Sequence, residues 1–301
     1  MRCSLPTFSV IVPTFGRPTQ LATCLEALRQ LDYPQDRFEV LVVDDGSERP
    51  PEATVAAIQD RLNIRLVMQA HAGPATARNT GAAQGRGEIL AFTDDDCTAD
   101  AGWLRALAAR ASREPHCAIG GQTRNLLVGD VFATASQLLI EYLYTYYNAD
   151  QNHARFFASN NLAVPADGFR AVGGFDPTTP LAAGEDREFC DRWVQRGYRM
   201  TYARDAVVCH AHALSLRGFW RQHFTYGRGA YYFHRARKRR QAGPMSPEPP
   251  RFYLDLLRQP LSQRSGPSKP LLAGLLALSQ VANAAGFLFE RQAQRERRRR
   301  G

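Results

Sequence analysis

Glu88-Ile89-Leu90-Ala91-Phe92-Thr93-Asp94-Asp95-Asp96-Cys97 joins an apolar run directly to three consecutive carboxylates. An uninterrupted apolar run of this length reads as a strand covered on both faces, which is how strands of a parallel sheet appear. Three carboxylates at the end of a buried strand repel one another and require a compensating cation, most simply a divalent metal. A solvated acidic turn is the plainer alternative, and only the surrounding chain separates the two.

Upstream, Phe8-Ser9-Val10-Ile11-Val12 is an apolar run stopped by Pro13, and Phe38-Glu39-Val40-Leu41-Val42-Val43 is another stopped by Asp44-Asp45-Gly46-Ser47. Between them Leu21, Cys24, Leu25, Leu28 and Leu31 recur at helical spacing after Pro18-Thr19, completing a strand-helix-strand unit. The alternation continues with a helix over 52–62, a strand over 64–68, a helix over 74–84 and the strand 88–92. This predicts a doubly wound α/β fold, Rossmann-like, with a mostly parallel sheet and helices on both faces. In such folds ligands sit beyond the carboxyl ends of the strands. Asp44-Asp45 and Asp94-Asp95-Asp96 both fall there, so they can face one crevice. No Gly-x-Gly-x-x-Gly or Gly-x-x-x-x-Gly-Lys-Ser/Thr segment occurs, which argues against dinucleotide oxidoreductases and P-loop enzymes.

Farther on, 101–112 reads as a helix and 117–122 as a strand. A segment rich in Leu and Tyr follows over 131–147, and reads either as packed core or as a platform for an acceptor sugar. Phe157 to Val164 reads as a return to strand. Ala183-Gly184-Glu185-Asp186-Arg187 opens a helix whose dipole is expected to lower the pKa of Glu185 and Asp186 and keep a base ionised.

The chain has 301 residues, 44% of them hydrophobic, and a net charge of +9. Between Arg291 and Arg300 there are six Arg against one Glu, so this tail holds +5 and the rest only +4. With no recognisable nucleic-acid module, the basic runs at 235–240 and 291–300 fit an anionic membrane surface or a diphosphate substrate better than nucleic acid. The six cysteines include no Cys-x-x-Cys pair, which suggests reduced thiols in the cytoplasm. Met1 to Pro6 leads straight into a strand-like run, where a signal peptide would need a longer apolar stretch.

In order, Val10-Ile11-Val12-Pro13-Thr14-Phe15, Val42-Val43-Asp44-Asp45-Gly46-Ser47, Gly73-Pro74-Ala75-Thr76-Ala77-Arg78-Asn79-Thr80-Gly81, Phe92-Thr93-Asp94-Asp95-Asp96, Gly173-Gly174-Phe175-Asp176 and Gly184-Glu185-Asp186 resemble the motifs of the family 2 glycosyltransferases. The resemblance covers about residues 7–230 and implies the GT-A fold and inverting transfer from a nucleoside-diphosphate sugar of UDP, GDP or dTDP type. It implies that Asp45 accepts a hydrogen bond from the base in a pocket lined by Pro13 and Thr14, with Arg78 on the base or phosphate side. Asp94 and Asp96 match the outer members of an Asp-x-Asp motif. Asp96 is then the ligand of Mn2+ or Mg2+, Asp94 faces the ribose or metal-bound water, and Asp95 sits among the donor-binding residues without an assigned contact. Asp186 matches the general base and Glu185 lies on the acceptor side. His210 matches a metal- or diphosphate-binding histidine, with His212 as its rival.

Processive members carry Gln-x-x-Arg-Trp; here Gln222 is kept, but Thr225-Tyr226 replaces Arg-Trp, which favours addition of one sugar at a time. A polyprenyl-phosphate sugar synthase and a non-catalytic nucleotide-sugar-binding subunit are compatible with the same motifs. Residues 1–240 read as the catalytic domain. Residues 241–301 read as a linker around 243–250, an apolar helix over 270–289 and the Arg-rich tail, and Gln280 and Asn283 on one face of that helix favour an interfacial position. Together these readings place the enzyme in the cytoplasm at the inner face of the cell membrane, peripherally bound, acting on a glycan or lipid-linked acceptor in polysaccharide biosynthesis.

Overall fold

The computed structural model describes residues 5–178, 183–243, 248–263 and 266–300. The apolar runs form the strands expected of them: β1 (Phe8–Thr14), β2 (Phe38–Asp44), β3 (Ile64–Met68) and β4 (Ile89–Phe92). They alternate with α1 (Pro18–Arg29), α2 (Glu52–Ala56) and α3 (Pro74–Gln84). β5 (Cys97–Ala99), α4 (Trp103–Arg113), β6 (Ala118–Asn125), α5 (Val131–Tyr147), β7 (Leu162–Pro165) and α6 (Ala166–Val172) follow. The chain then runs through α7 (Glu185–Gln195), β8 (Met200–His210), α8 (Leu216–Arg239), α9 (Pro250–Arg258) and α10 (Lys269–Arg300).

One eight-stranded sheet has the order β3-β2-β1-β4-β7-β6-β8-β5. β1 pairs in parallel with both β2 and β4, so the carboxyl ends of all three open at the point where the winding reverses, the usual ligand position in such sheets. β7 runs antiparallel between β4 and β6. The short β5 pairs antiparallel with the end of β8, Cys97 opposite His210. That register carries Asp96 to the histidine.

Helices cover both faces. Val10, Val12, Leu25, Leu28, Trp103 and Leu107 belong to the core on one side, and Ile11, Leu41, Phe92, Phe169, Phe175 and Trp193 to the core on the other. A third cluster, with Leu138, Phe219, Phe252, Leu256, Leu272 and Leu276, joins α5, α8, α9 and α10.

Several expectations shift. The helix predicted over 52–62 keeps α-helical bonding only to Ala56, after which Ile58 N donates to Val55 O and Arg61 N to Ile58 O in tighter turns. The strand predicted from Phe157 begins only at Leu162. Asn161, in a 3-10 turn, spends its side-chain amide on the carbonyls of Gln122 (2.9 Å) and Ala206 (3.0 Å), bonds that a strand would make from its backbone. Of the break expected at 243–250, residues 244–247 lie outside the described residues.

The apolar segment 270–289 is part of the longer α10, packed along α8. A Cβ on Gly227 would sit 1.8 Å from the Asn283 carbonyl oxygen, and one on Gly286 2.0 Å from that of Phe224. Only glycine permits so close a backbone approach. Beyond this seam Glu290 accepts from Arg228 Nε (2.8 Å) and the Tyr232 hydroxyl (2.6 Å).

Candidate active site

A cleft of about 1690 Å3 opens over the carboxyl ends of β1, β2 and β4, and its far wall is formed by α5, α8 and α10. Pro13, Thr14, Asp45, Arg78, Asp94, Asp95, Asp96, Glu185, Asp186, His210 and His212 all line it. The candidate site residues therefore converge on one cavity, from segments as far apart in sequence as Pro13 and His212.

The three carboxylates are compensated first by the protein's own cations. Arg78, buried in α3, donates from Nη2 to Asp94 Oδ1 (2.7 Å) and from Nη1 to Glu185 Oε1 (3.0 Å). It bridges the Asp triplet to the first turn of α7. Arg17 Nη1 lies 3.3 Å from Asp95 Oδ1 and 3.0 Å from Asp96 Oδ2. Asp95, for which no contact was assigned, turns inward: Thr14 Oγ1 donates to its Oδ2 at 2.7 Å, tying the triplet to the end of β1. Burial still pushes the Asp95 carboxyl up to about 6, against Thr14 and Arg17.

Asp96 faces both histidines. His210 Nε2 lies 3.2 Å from Asp96 Oδ1 and His212 Nδ1 3.6 Å from Oδ2, with the two rings stacked at 5.3 Å. Burial alone would raise the Asp96 carboxyl, but the facing His210 and His212 rings, with Arg17, outweigh it and hold it well below the usual range. The choice between His210 and His212 dissolves: β8 ends at His210, the chain turns, and both rings reach the same carboxylate. One oxygen of Asp96 and one nitrogen of each histidine lie within 4.8 Å of one another. This is a spacing and a donor set that can close on a single divalent ion.

Asp45 is buried and occupied. Its Oδ1 accepts from Gln69 Nε2 (2.7 Å) and Ala72 N (2.9 Å), its Oδ2 accepts from Gly73 N (2.9 Å), and His71 Nδ1 stands 2.9 Å from Oδ2. It thus fixes the entry to α3. The His71 ring packs on Phe15 at 4.5 Å, tilted by 32°, and both rings are exposed at the lip of the cleft. Arg17 and His71 are absent from the predicted set. Their only sequence signals are proximity to Pro13-Thr14 and to Gly73-Pro74.

Asp186 departs from its expected electrostatics. It lies in the first turn of α7, where Arg187 N donates to its Oδ1 at 2.7 Å. Burial, followed by the charge of Glu185, nonetheless pushes its carboxyl up to about 7, so desolvation outweighs the helix dipole. Glu185 Oε2 is buried without a partner among the described residues. Across the cleft the Tyr226 hydroxyl accepts from Gln222 Nε2 (2.7 Å). The tyrosines of α5 divide: Tyr142 and Tyr144 are core, whereas Tyr147 lines the cleft and its hydroxyl donates to Glu248 Oε1 (2.6 Å).

The model of the family described as "Glycosyl transferase family 2" matches residues 9–172. Glycosyltransferase AglE of Haloferax volcanii is 30% identical over 213 residues, which cover 70% of this chain and 68% of that protein. Validoxylamine A glucosyltransferase of Streptomyces hygroscopicus is 32% identical over 231 residues, covering 67% of this chain and 51% of that protein. The chain thus spans about half the length of some of the relatives it matches. Among solved structures, the mannosyltransferase PcManGT from Pyrobaculum calidifontis, in complex with GDP-Man and Mn2+, superposes with a TM-score of 0.62 at 22% identity, covering 94% of this chain and 76% of that one. S. aureus TarS 1-349, in complex with UDP-GlcNAc, gives 0.58 at 16% identity, covering 96% of this chain and 92% of that one. At these identities the likeness is one of architecture.

Proposed function

The chain belongs to glycosyl transferase family 2 and is a glycosyltransferase, and on that premise we propose that it moves a single sugar, with inversion, from a nucleoside-diphosphate sugar to a hydroxyl of a glycan or lipid-linked acceptor. The observation that carries this reading is the Arg78 bridge, which joins Asp94 on the donor side to Glu185 beside Asp186. A nucleotide-binding cleft alone has no need to couple its Asp triplet to a buried carboxylate in the first turn of α7, next to Asp186. The GDP-Man and UDP-GlcNAc in the two solved neighbours support a nucleotide-sugar donor.

In this reading Asp186 takes the proton of the acceptor hydroxyl as that oxygen bonds to the anomeric carbon, while the bond from this carbon to the diphosphate oxygen breaks and the nucleoside diphosphate departs. Attack from the face opposite the diphosphate inverts the centre. A base titrating near neutrality is well matched to that task. Arg78 holds the first turn of α7 in register with Asp94, and Thr14 with Arg17 holds Asp95 and Asp96 in place. Asp96, His210 and His212 would hold the metal, and two imidazoles with one carboxylate suit Mn2+ better than Mg2+, which prefers oxygen donors. Such an ion, when bound, neutralises charge on the diphosphate. The exposed arginines of α10 support a setting at the inner face of the cell membrane.

Asp96→Ala tests the metal and donor assignment together. Calorimetric binding of a nucleoside diphosphate in Mn2+ should weaken by more than about tenfold, as losses around metal sites commonly do, with metal-free melting little changed. Unchanged binding in Mn2+ would remove Asp96 from the site.

A further inference from the structure

α10 is apolar on two faces, and only one of them is used by the domain. Leu272, Leu275, Leu276 and Ala282 are buried against the protein. On the flank of that face Leu271, Gly274, Val281 and Leu288 are exposed, and with the half-buried Ala285 and Leu278, the latter packed on the third cluster, they recur at alternating steps of three and four, which makes a stripe of roughly 25 Å. Within it Leu271 is 51%, Val281 58% and Leu288 58% exposed. An apolar strip this long on a helix whose other face is already satisfied marks a surface that something covers.

We infer that this stripe docks on an anionic lipid bilayer, with α10 lying in the membrane surface. The inference deepens the glycosyltransferase reading and rests on it. Charge selects the occupant: Lys269 stands at one end of the stripe and exposed Arg291, Arg295 and Arg297 at the other. Basic side chains at the ends of an apolar strip meet anionic headgroups while the strip enters the acyl boundary. α10 is by length and composition apolar enough to cross a membrane. Its inner face, however, is locked to α8 by the Gly227 and Gly286 contacts and by the Glu290 bonds to Arg228 and Tyr232. A helix tied in this way lies along the domain instead of leaving it. Leu288 belongs to both the stripe and the cleft wall, so docking sets the cleft mouth at the lipid surface, where a lipid-borne acceptor is presented.

The test is flotation of the full chain with vesicles of phosphatidylglycerol and phosphatidylcholine in equal parts, and with phosphatidylcholine alone. Wild type should rise with the anionic vesicles only, and Leu271→Asp with Val281→Asp should weaken binding about tenfold or more while melting as wild type does. Wild type left at the bottom of the gradient overturns the inference, as does a double variant that still floats. A vesicle-free dimer by light scattering that the double variant splits assigns the stripe to a second copy and overturns it too. Calorimetric binding of a nucleoside diphosphate in Mn2+ without vesicles reports on the glycosyltransferase reading by itself. Binding without flotation sinks only the docking, and flotation without binding sinks only the reading.

Discussion

Asp186 holds its proton more readily than an ordinary aspartate because it is desolvated and stands beside Glu185, and this has opposite consequences for activity and stability. In its proposed role as base it must be ionised, so kcat should rise with pH through about 7 to a plateau. For stability, between the ordinary carboxylate value and about 7 the folded chain keeps a proton that the unfolded chain releases. The unfolded state then binds fewer protons, and stability falls as pH rises across that window. Asp186→Asn carries no such penalty. It should lower kcat by roughly 10²- to 10⁴-fold yet melt a few degrees above wild type at pH 8, with the advantage gone near pH 4. Pairing pH-rate profiles with calorimetric melts checks both signs, and a variant that melts below wild type at pH 8 would show that ionised Asp186 is not a strained group. Arg78 behaves in the other direction. It is buried against two carboxylates, so Arg78→Ala strands Asp94 and Glu185 and should cost about 3 kcal/mol or more, read by denaturant unfolding. Arg78→Lys keeps the charge but not the two-pronged bridge and should fall between the two.

How far each element could be read from sequence depended on whether its environment leaves a periodic trace. β1, β2 and β4 are buried on both faces and are visible as plain apolar runs. α5 occupies the same residues as the Leu- and Tyr-rich segment. β5 has three residues and no pattern of its own, yet its pairing with β8 is what brings Asp96 to His210 and His212. Arg17 and His71 sit in loops, where geometry has no period to detect. The compensating cation expected of a metal is in part supplied by Arg17 and Arg78, which sequence distance from the Asp triplet conceals. α10 was opaque for a further reason: its apolar residues lie on more than one face, so their pattern does not show which face the protein covers. The paired glycines that settle it are legible only once α8 and α10 are side by side. Gly227→Ala or Gly286→Ala would drive a methyl into a facing carbonyl, and the two helices can relieve that only by separating. Each should lower thermal stability by about 1–3 kcal/mol, the usual cost of overpacking, and speed proteolysis between α9 and α10. A melt equal to wild type would mean that the seam is looser than the contacts imply.

At the scale of the whole molecule the donor half and the far wall of the cleft have different origins. The proposed donor half is built from the wound sheet, whose strand ends gather Asp45, Asp94 and Asp96. The far wall is built from helices that share, among the described residues, the cluster joining α5, α8, α9 and α10. Within it Leu272, Leu275 and Leu276 come from α10 and are buried. At about 1.5–3 kcal/mol for each buried leucine, these three account for roughly 5–9 kcal/mol, against a total stability of about 5–15 kcal/mol for a typical domain. α10 also contributes Asn283, Phe287 and Leu288 to the cleft. A chain ending at residue 263 therefore loses more than a membrane contact: it exposes Phe219 and Leu138, buried in the intact protein, and opens the cleft on one side. It should show no cooperative melt near the wild-type temperature and should gain no thermal protection from a nucleoside diphosphate with Mn2+, because a ligand stabilises only a state that is folded to bind it. Differential scanning calorimetry with and without that pair of ligands decides the matter. A truncated chain that melts cooperatively within a few degrees of wild type and is still protected by the ligands would show that the sheet half folds and binds alone, with α10 added to it.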